Sequence, residues 1–146
     1  NIENNYGLMK KCLLAAIDFG DANAMDRLGY YYYHIEINYG LVKKYLLMAI
    51  NLGNTSAMSN LGHYYRYIEK NYDFAKKYWL MAIEKNNVHA MYSLGLYYQE
   101  IEKNCVLMKK YWLMAIKQVD TYTMKKLGDY YYCLANKYYY MMSNNN

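Results

Sequence analysis

In 146 residues the sequence has no proline, two arginines, three cysteines and three histidines. Cys12, Cys105 and Cys133 are odd in number and show no CxxC spacing. Neither a disulfide framework nor a zinc site is therefore expected, and a reducing, cytoplasmic location is. No run approaches the roughly 18 uninterrupted apolar residues of a membrane span, because lysine pairs interrupt the best candidates. The N-terminal residues show no signal-peptide pattern. Twelve acidic residues stand against seventeen basic ones. The resulting +5 favours acidic partners weakly and falls short of a nucleic-acid-binding signature.

The chain is 55% apolar and 18% aromatic, with 23 tyrosines, which excludes disorder. At roughly 100–200 residues per domain its length is that of one unit of structure. Such a chain hides roughly 68–70% of its unfolded surface. Tyrosine, asparagine, lysine and isoleucine all have A/T-rich codons, and they make up 63 residues. That bias predicts an AT-rich genome, such as that of a giant DNA virus (and then a location in the host cytoplasm) or an AT-rich protist. A balanced base composition in the coding sequence would contradict it.

The sequence is one unit written four times. Leu-Gly recurs at 28–29, 61–62, 94–95 and 127–128, Ala-Ile at 16–17, 49–50, 82–83 and 115–116, and Lys-Lys at 10–11, 43–44, 76–77 and 109–110. Every step is 33 residues, with no insertion. Within a unit the spacing is helical. Ala24, Met25, Tyr31, Tyr32 and Ile35 fall within about 60° of Leu28 on a helical wheel, the apolar stripe of an amphipathic helix. Over 38–52 the apolar arc is far wider, as in a helix packed between neighbours. First helices are thus predicted at 21–35, 54–68, 87–101 and 120–135, and second helices at 4–19, 38–52, 71–85 and 104–118. Asp21, Asn54, Asn87 and Asp120 suit the N-caps of the first kind, and Asn38, Asn71 and Asn104 those of the second. Gly29, Gly62, Gly95 and Gly128 sit inside helices, where each costs about 1 kcal/mol relative to alanine. Close approach of the neighbouring helix is the expected reason.

The pattern M-x2-L-G-x2-Y at Met25, Leu28, Gly29 and Tyr32 resembles the tetratricopeptide W-x2-L-G-x2-Y. The fuller unit, A-M-x2-L-G-x-Y-Y followed by a helix with Tyr45, Ala49 and Ile50, is more similar to the Sel-one-like repeats of that superfamily. Its inter-helix loop is short and lacks both the usual glycines and the tetratricopeptide proline. The resemblance covers about residues 2–136. It implies an all-α fold, a right-handed solenoid of antiparallel helix pairs forming a single domain over 1–142. Relatives act as adaptors in signalling, protein quality control and host interaction. Ile2-Glu3 match Ile35-Glu36 and Ile68-Glu69, which close first helices, so the sequence is read as a fragment of a longer array. Residues 137–142 keep the register of a further second helix, and 143–146 read as a frayed tail.

Catalysis has little to stand on: His34, His63 and His89 occupy three different repeat positions without partners at triad or ligand spacing. No enzyme, cofactor, metal or membrane role is expected. Fifteen tyrosines lie in recurring positions and read as core: the pairs at 31–32, 64–65, 97–98 and 130–131, with Tyr6, Tyr39, Tyr72, Tyr138, Tyr45, Tyr78 and Tyr111. The far side of each first helix instead changes from unit to unit. It carries Asp26, Tyr30 and Tyr33, then Ser59, His63 and Arg66, then Tyr92, Leu96 and Gln99, then Lys125, Asp129 and Tyr132. In related solenoids the first helices line a concave groove. From that face Asp26, Tyr30, Tyr33, His63, Arg66, Tyr92, Leu96, Gln99, Asp129 and Tyr132 are read as a surface for a protein or peptide partner. The lysine pairs give the alternative, a ridge for RNA. A spacer role is a third reading. Leu14, Leu47, Leu80 and Leu113 fall among the lysines, either packed or as an exposed apolar stripe.

Overall fold

The computed structural model describes residues 2–118 and 121–143, apart from the side chains of 2–4 and 138–143. The described residues are helical and contain no strand. Their helices are α1 (Ile2–Asp18), α2 (Ala22–His34), α3 (Tyr39–Asn51), α4 (Thr55–Tyr64), α5 (Tyr72–Glu84), α6 (Val88–Glu100), α7 (Cys105–Lys117) and α8 (Thr121–Ser143). They fall into two compact units, Asn1–Asn87 with α1–α5 and Val88–Asn146 with α6–α8. Each is a stack of helices in which chain neighbours pack side by side.

Local chemistry sets the boundaries. Asp21 accepts from the Asn23 and Ala24 N–H groups, and Asn38, Asn71 and Asn104 each accept from the N–H three residues on. Asn54 caps α4 through its oxygen and sends its amide back to the Ala22 carbonyl (3.3 Å). Asn87 likewise donates to the Thr55 carbonyl (3.2 Å). An aspartate cannot make that second bond, so asparagine both caps and ties one helix to the repeat before it. Expected cap Asp120 and the 144–146 part of the expected tail lie outside the described residues. At the end of α1, Gly20 (φ 79°) lets its own N–H reach the Ile17 carbonyl and that of Asp21 reach Ala16. Gly53 (φ 82°) repeats this after α3. Both are Schellman stops. The loops from first to second helix also need a left-handed residue, but here it is Ile37, Lys70 and Lys103 (φ 46°, 54° and 53°). The missing loop glycines are replaced by strained residues in the same conformation.

Two boundaries differ from expectation. The first helix predicted at 54–68 ends as α-helix at Tyr64 and continues as a π-helical turn, Tyr65–Glu69. And α8 runs unbroken from Thr121 to Ser143, where separate helices at 120–135 and 137–142 are expected. The sequence there lacks the cap that starts the other second helices: Lys137 stands where Asn38, Asn71 and Asn104 do.

In the first unit Leu28, Ala49, Ala57, Leu61, Ala75 and Trp79 are sealed from solvent, and in the second Leu94, Met108, Trp112 and Ala115. The mid-helix glycines explain the tightest contacts. A Cβ on Gly29 would meet Leu46 at 3.0 Å, one on Gly62 would meet Trp79 at 2.5 Å, and one on Gly95 would collide with Trp112. Gly128 departs from the expectation, with nothing within 4 Å of its Cβ position. Among the recurring tyrosines, Tyr6, Tyr39 and Tyr131 are exposed rather than core. Leu80 and Leu113 are exposed while Leu47 is half-buried, so the leucines among the lysines form a partly open apolar stripe.

Candidate functional site

The residue at position 46, 79 or 112 governs how a first helix meets its second helix. Trp79 Nε1 donates to the Ser59 carbonyl (3.2 Å) and Trp112 Nε1 to the Tyr92 carbonyl (3.1 Å). Each indole thus lies across the face on which variable side chains were expected to stand free. That is why Ser59, read as outward, is buried with no partner for its hydroxyl.

In the first unit, Tyr30, Tyr33 and His34 of α2 and Asn60 of α4 line a cavity of about 100 Å³, floored by Val42 and Leu46 of α3. Tyr30 and His34 also border a larger one, about 440 Å³, above Tyr6, Met9 and Leu13 of α1. Asp26 does not face open solvent. It accepts from Asn60 Nδ2 (2.8 Å), and burial pushes its carboxyl above the ordinary range despite Asn60 and Arg27 nearby. It spans α2 and α4 as a structural tie. His63 stacks on Tyr67 and meets Trp79 edge-on, centroids 5.5 Å apart. Arg66 is a correction. It is 4% exposed, with its guanidinium 4.8 Å over the Tyr67 ring. The reading that set it outward assumed regular α-helix, and the wider π turn rotates it inward.

In the second unit four of the five expected residues meet. Tyr92, Leu96 and Gln99 of α6 and Asp129 of α8 line one cavity of about 300 Å³, with Trp112 of α7 also in its wall. Tyr92 lies parallel to Trp112 (6.0 Å) and edge-on to Tyr122 (5.2 Å), so its ring is held before any ligand arrives. Tyr132 is not among the lining residues and is 70% exposed. Lys126 and Cys133 line the cavity unforeseen. Their positions repeat those of Arg27 and His34, which border the larger cavity of the first unit, and that correspondence was the available signal.

The lysine ridge also carries a feature the sequence reading missed. Lys10 pairs with Glu36 (2.7 Å) while standing over the Tyr32 ring, and Lys43 pairs with Glu69 (3.0 Å) over Tyr65. The Tyr31 hydroxyl donates to Glu36 as well (2.6 Å). These bonds hold the Glu36 carboxyl below its ordinary range, Lys10 first and Tyr31 second, and the Glu36 bond holds Lys10 above its own. Glutamate at 36, 69 and 102 keeps the repeat step and could have revealed the pattern. The second lysine of each pair, Lys11, Lys44, Lys77 or Lys110, is exposed.

Among the described residues no three His, Cys, Asp or Glu side chains gather as a metal site, and no helix is long and apolar enough to cross a membrane. Antiparallel helices written by one repeated pattern define a helical-repeat protein. No family model and no curated protein matches the sequence. Among solved structures it is similar to a Sel1 repeat protein from Oxalobacter formigenes, at 26% identity and a TM-score of 0.63, over 82% of this chain and 96% of that one. It is also similar to an immunity protein from Pseudomonas aeruginosa at 19% identity and a TM-score of 0.52. That second match covers 78% of this chain and 58% of the immunity protein and shows the fold alone. Repeat, helices and likeness agree on the fold, a stack of helical repeats similar to that of the Sel1 repeat protein. Neither neighbour is viral, and the expectation about the genome gains no support from them.

Proposed function

We propose that the chain is a non-catalytic interaction scaffold whose inter-helix cavities hold an extended peptide or a partner helix. One observation carries this reading: in the second unit, side chains that differ from repeat to repeat converge on a single cavity beside Trp112, whose indole is held by its hydrogen bond to the Tyr92 carbonyl. Rigid aromatics such as Tyr92 and Trp112 supply contact area at little entropic cost, and such residues dominate binding hot spots. Tyr30 and Tyr33 do the same in the first unit. Contacts therefore fall to Tyr30, Tyr33, Tyr92, Leu96, Gln99 and Asp129, while His63 is packed against Tyr67 and Trp79. Asp26 positions the wall, and Arg66 belongs to the core. Lys10 and Lys43 are committed to ion pairs, which leaves a phosphate backbone fewer free cations along the ridge. The three exposed, unbridged thiols suit a reducing compartment.

The reading is tested by photo-crosslinking from single positions. A crosslinker at Tyr33 or Tyr92 should trap protein, and one at Lys44 or Lys77 should trap little. RNA trapped at the lysines would establish the RNA reading instead, and no adduct at any position would leave the chain a spacer.

A further inference from the structure

Three repeats build a seat for a carboxylate, and each fills it with a glutamate of its own. Glu36 takes the Lys10 ammonium (2.7 Å) and the Tyr31 hydroxyl (2.6 Å). Glu69 takes Lys43 (3.0 Å) and a hydrogen bond from the Tyr64 hydroxyl. Glu102 accepts from the Tyr97 hydroxyl (3.0 Å). The fourth repeat keeps the lysine and the tyrosine, as Lys109 and Tyr130, but has Ala135 in the glutamate's position. Its donors are nevertheless posed as in the filled seats. Lys109 Nζ lies 5.0 Å over the Tyr131 ring, as Lys10 lies 5.1 Å over Tyr32 and Lys43 5.0 Å over Tyr65. Lys109 makes no ion pair among the described residues. The Tyr130 hydroxyl turns instead to the Cys105 sulfur (3.1 Å), a weak acceptor that a carboxylate would displace. The difference is one of residue type. Lys43 and Glu69 have helices on both sides of them and are still 38% and 34% exposed, so the seat faces solvent within the array as well.

We propose that this seat takes an acidic side chain of the peptide that the scaffold holds, an aspartate or glutamate carboxylate accepting from Lys109 and Tyr130. The inference rests on the scaffold reading and deepens it, because Tyr130 also lines the second unit's cavity beside Trp112, so that cavity and seat share a wall. Charge complementarity selects the occupant: an unpaired ammonium next to a hydroxyl donor matches the carboxylate that the same two positions bind in the earlier repeats. The cavity wall itself sets Glu100 and Asp129 against Lys126 and offers a carboxylate no net attraction. Lys109, at its edge, is therefore the group that reads the acid. The partner carries its acidic residue there and an apolar or aromatic residue against Trp112 and Leu96. In the first unit Lys10 and Lys43 already hold the chain's own glutamates, which confines this recognition to the second unit.

The test selects binders of the full chain from a displayed library of random dodecapeptides. The binders are then synthesised with acetylated and amidated ends, so that only side chains carry charge. They should share an aspartate or glutamate beside an apolar residue, and should be trapped by a crosslinker at Tyr92. Replacing that acid by its amide should weaken binding to the wild-type chain at least tenfold and to Lys109→Gln less than twofold. Lys109→Arg, which restores the charge, should restore the dependence. Peptides that are trapped at Tyr92 and keep their affinity when the acid is replaced overturn the seat and leave the scaffold standing. An equal loss in wild type and Lys109→Gln overturns it too, since the carboxylate then binds elsewhere. So does binding that requires a free C-terminus, because the carboxylate is then a chain end. The absence of any binder overturns both readings.

Discussion

The indole of Trp79 occupies the place that a side chain on Gly62 would need, with Cδ1 and Nε1 both 2.5 Å from the Cβ position. The hydrogen bond to the Ser59 carbonyl holds the ring there, so it cannot yield cheaply. Gly62→Ala should therefore cost about 1–3 kcal/mol through overpacking, although alanine is the better helix former. Gly128→Ala meets no neighbour and should gain up to about 1 kcal/mol. Denaturant titrations of both variants check the pair, and equal effects would refute the packing role of the glycine.

Ile37 is a branched residue in the left-handed region, exposed and therefore held by the loop hydrogen bond from Asn38 N–H to the Tyr32 carbonyl. The left-handed conformation costs such a residue roughly 1–2 kcal/mol. Ile37→Gly should raise stability by about 0.5–1 kcal/mol, the relief being offset in part by glycine's greater freedom when unfolded. Thermal melts measure it, and a destabilised variant would contradict it.

Arg66 and Tyr132 were alike in the sequence reading and should now behave oppositely. Arg66→Ala empties a buried position against Tyr67 and should cost about 1–3 kcal/mol. Tyr132→Ala, at an open site, should stay within about 0.5 kcal/mol. Urea titration distinguishes them.

The Lys10–Glu36 pair makes stability depend on pH at both extremes. Glu36 is depressed when folded, so its contribution is present above the ordinary carboxylate value and lost as pH falls through the lower, folded one. Lys10 is raised, so its contribution is present below the ordinary lysine value and lost as pH rises through the higher, folded one. The pair is exposed and is worth less than about 1 kcal/mol. Glu36→Gln should remove both slopes from a plot of melting temperature against pH while leaving the slopes from other groups.

The repeat made the helices and the core legible, because Leu28, Leu61 and Leu94 are copied at one step and each is sealed. The convergence of Tyr92, Leu96, Gln99 and Asp129 followed from the same arithmetic. What escaped it lies where a helical wheel fails. A wheel treats each helix as isolated, so it could not see Trp79 roofing Ser59. It assumes a constant turn, so the π turn at Tyr65–Glu69 carried Arg66 inward unannounced. It also ignores pairs between helices, and Lys10 with Glu36 went unread although both residues recur.

The most direct test of the scaffold reading is the dissociation constant of the protein crosslinked at Tyr92, measured at two salt concentrations. Replacing Tyr92 and Leu96 with alanine should weaken binding at least tenfold, about 1.4 kcal/mol, with little dependence on salt. Replacing Lys44, Lys77 and Lys110 with glutamine should change it less than twofold. If instead the glutamine variant loses its partner and the alanine variant keeps it, the cavities are not the working surface and the lysine ridge is.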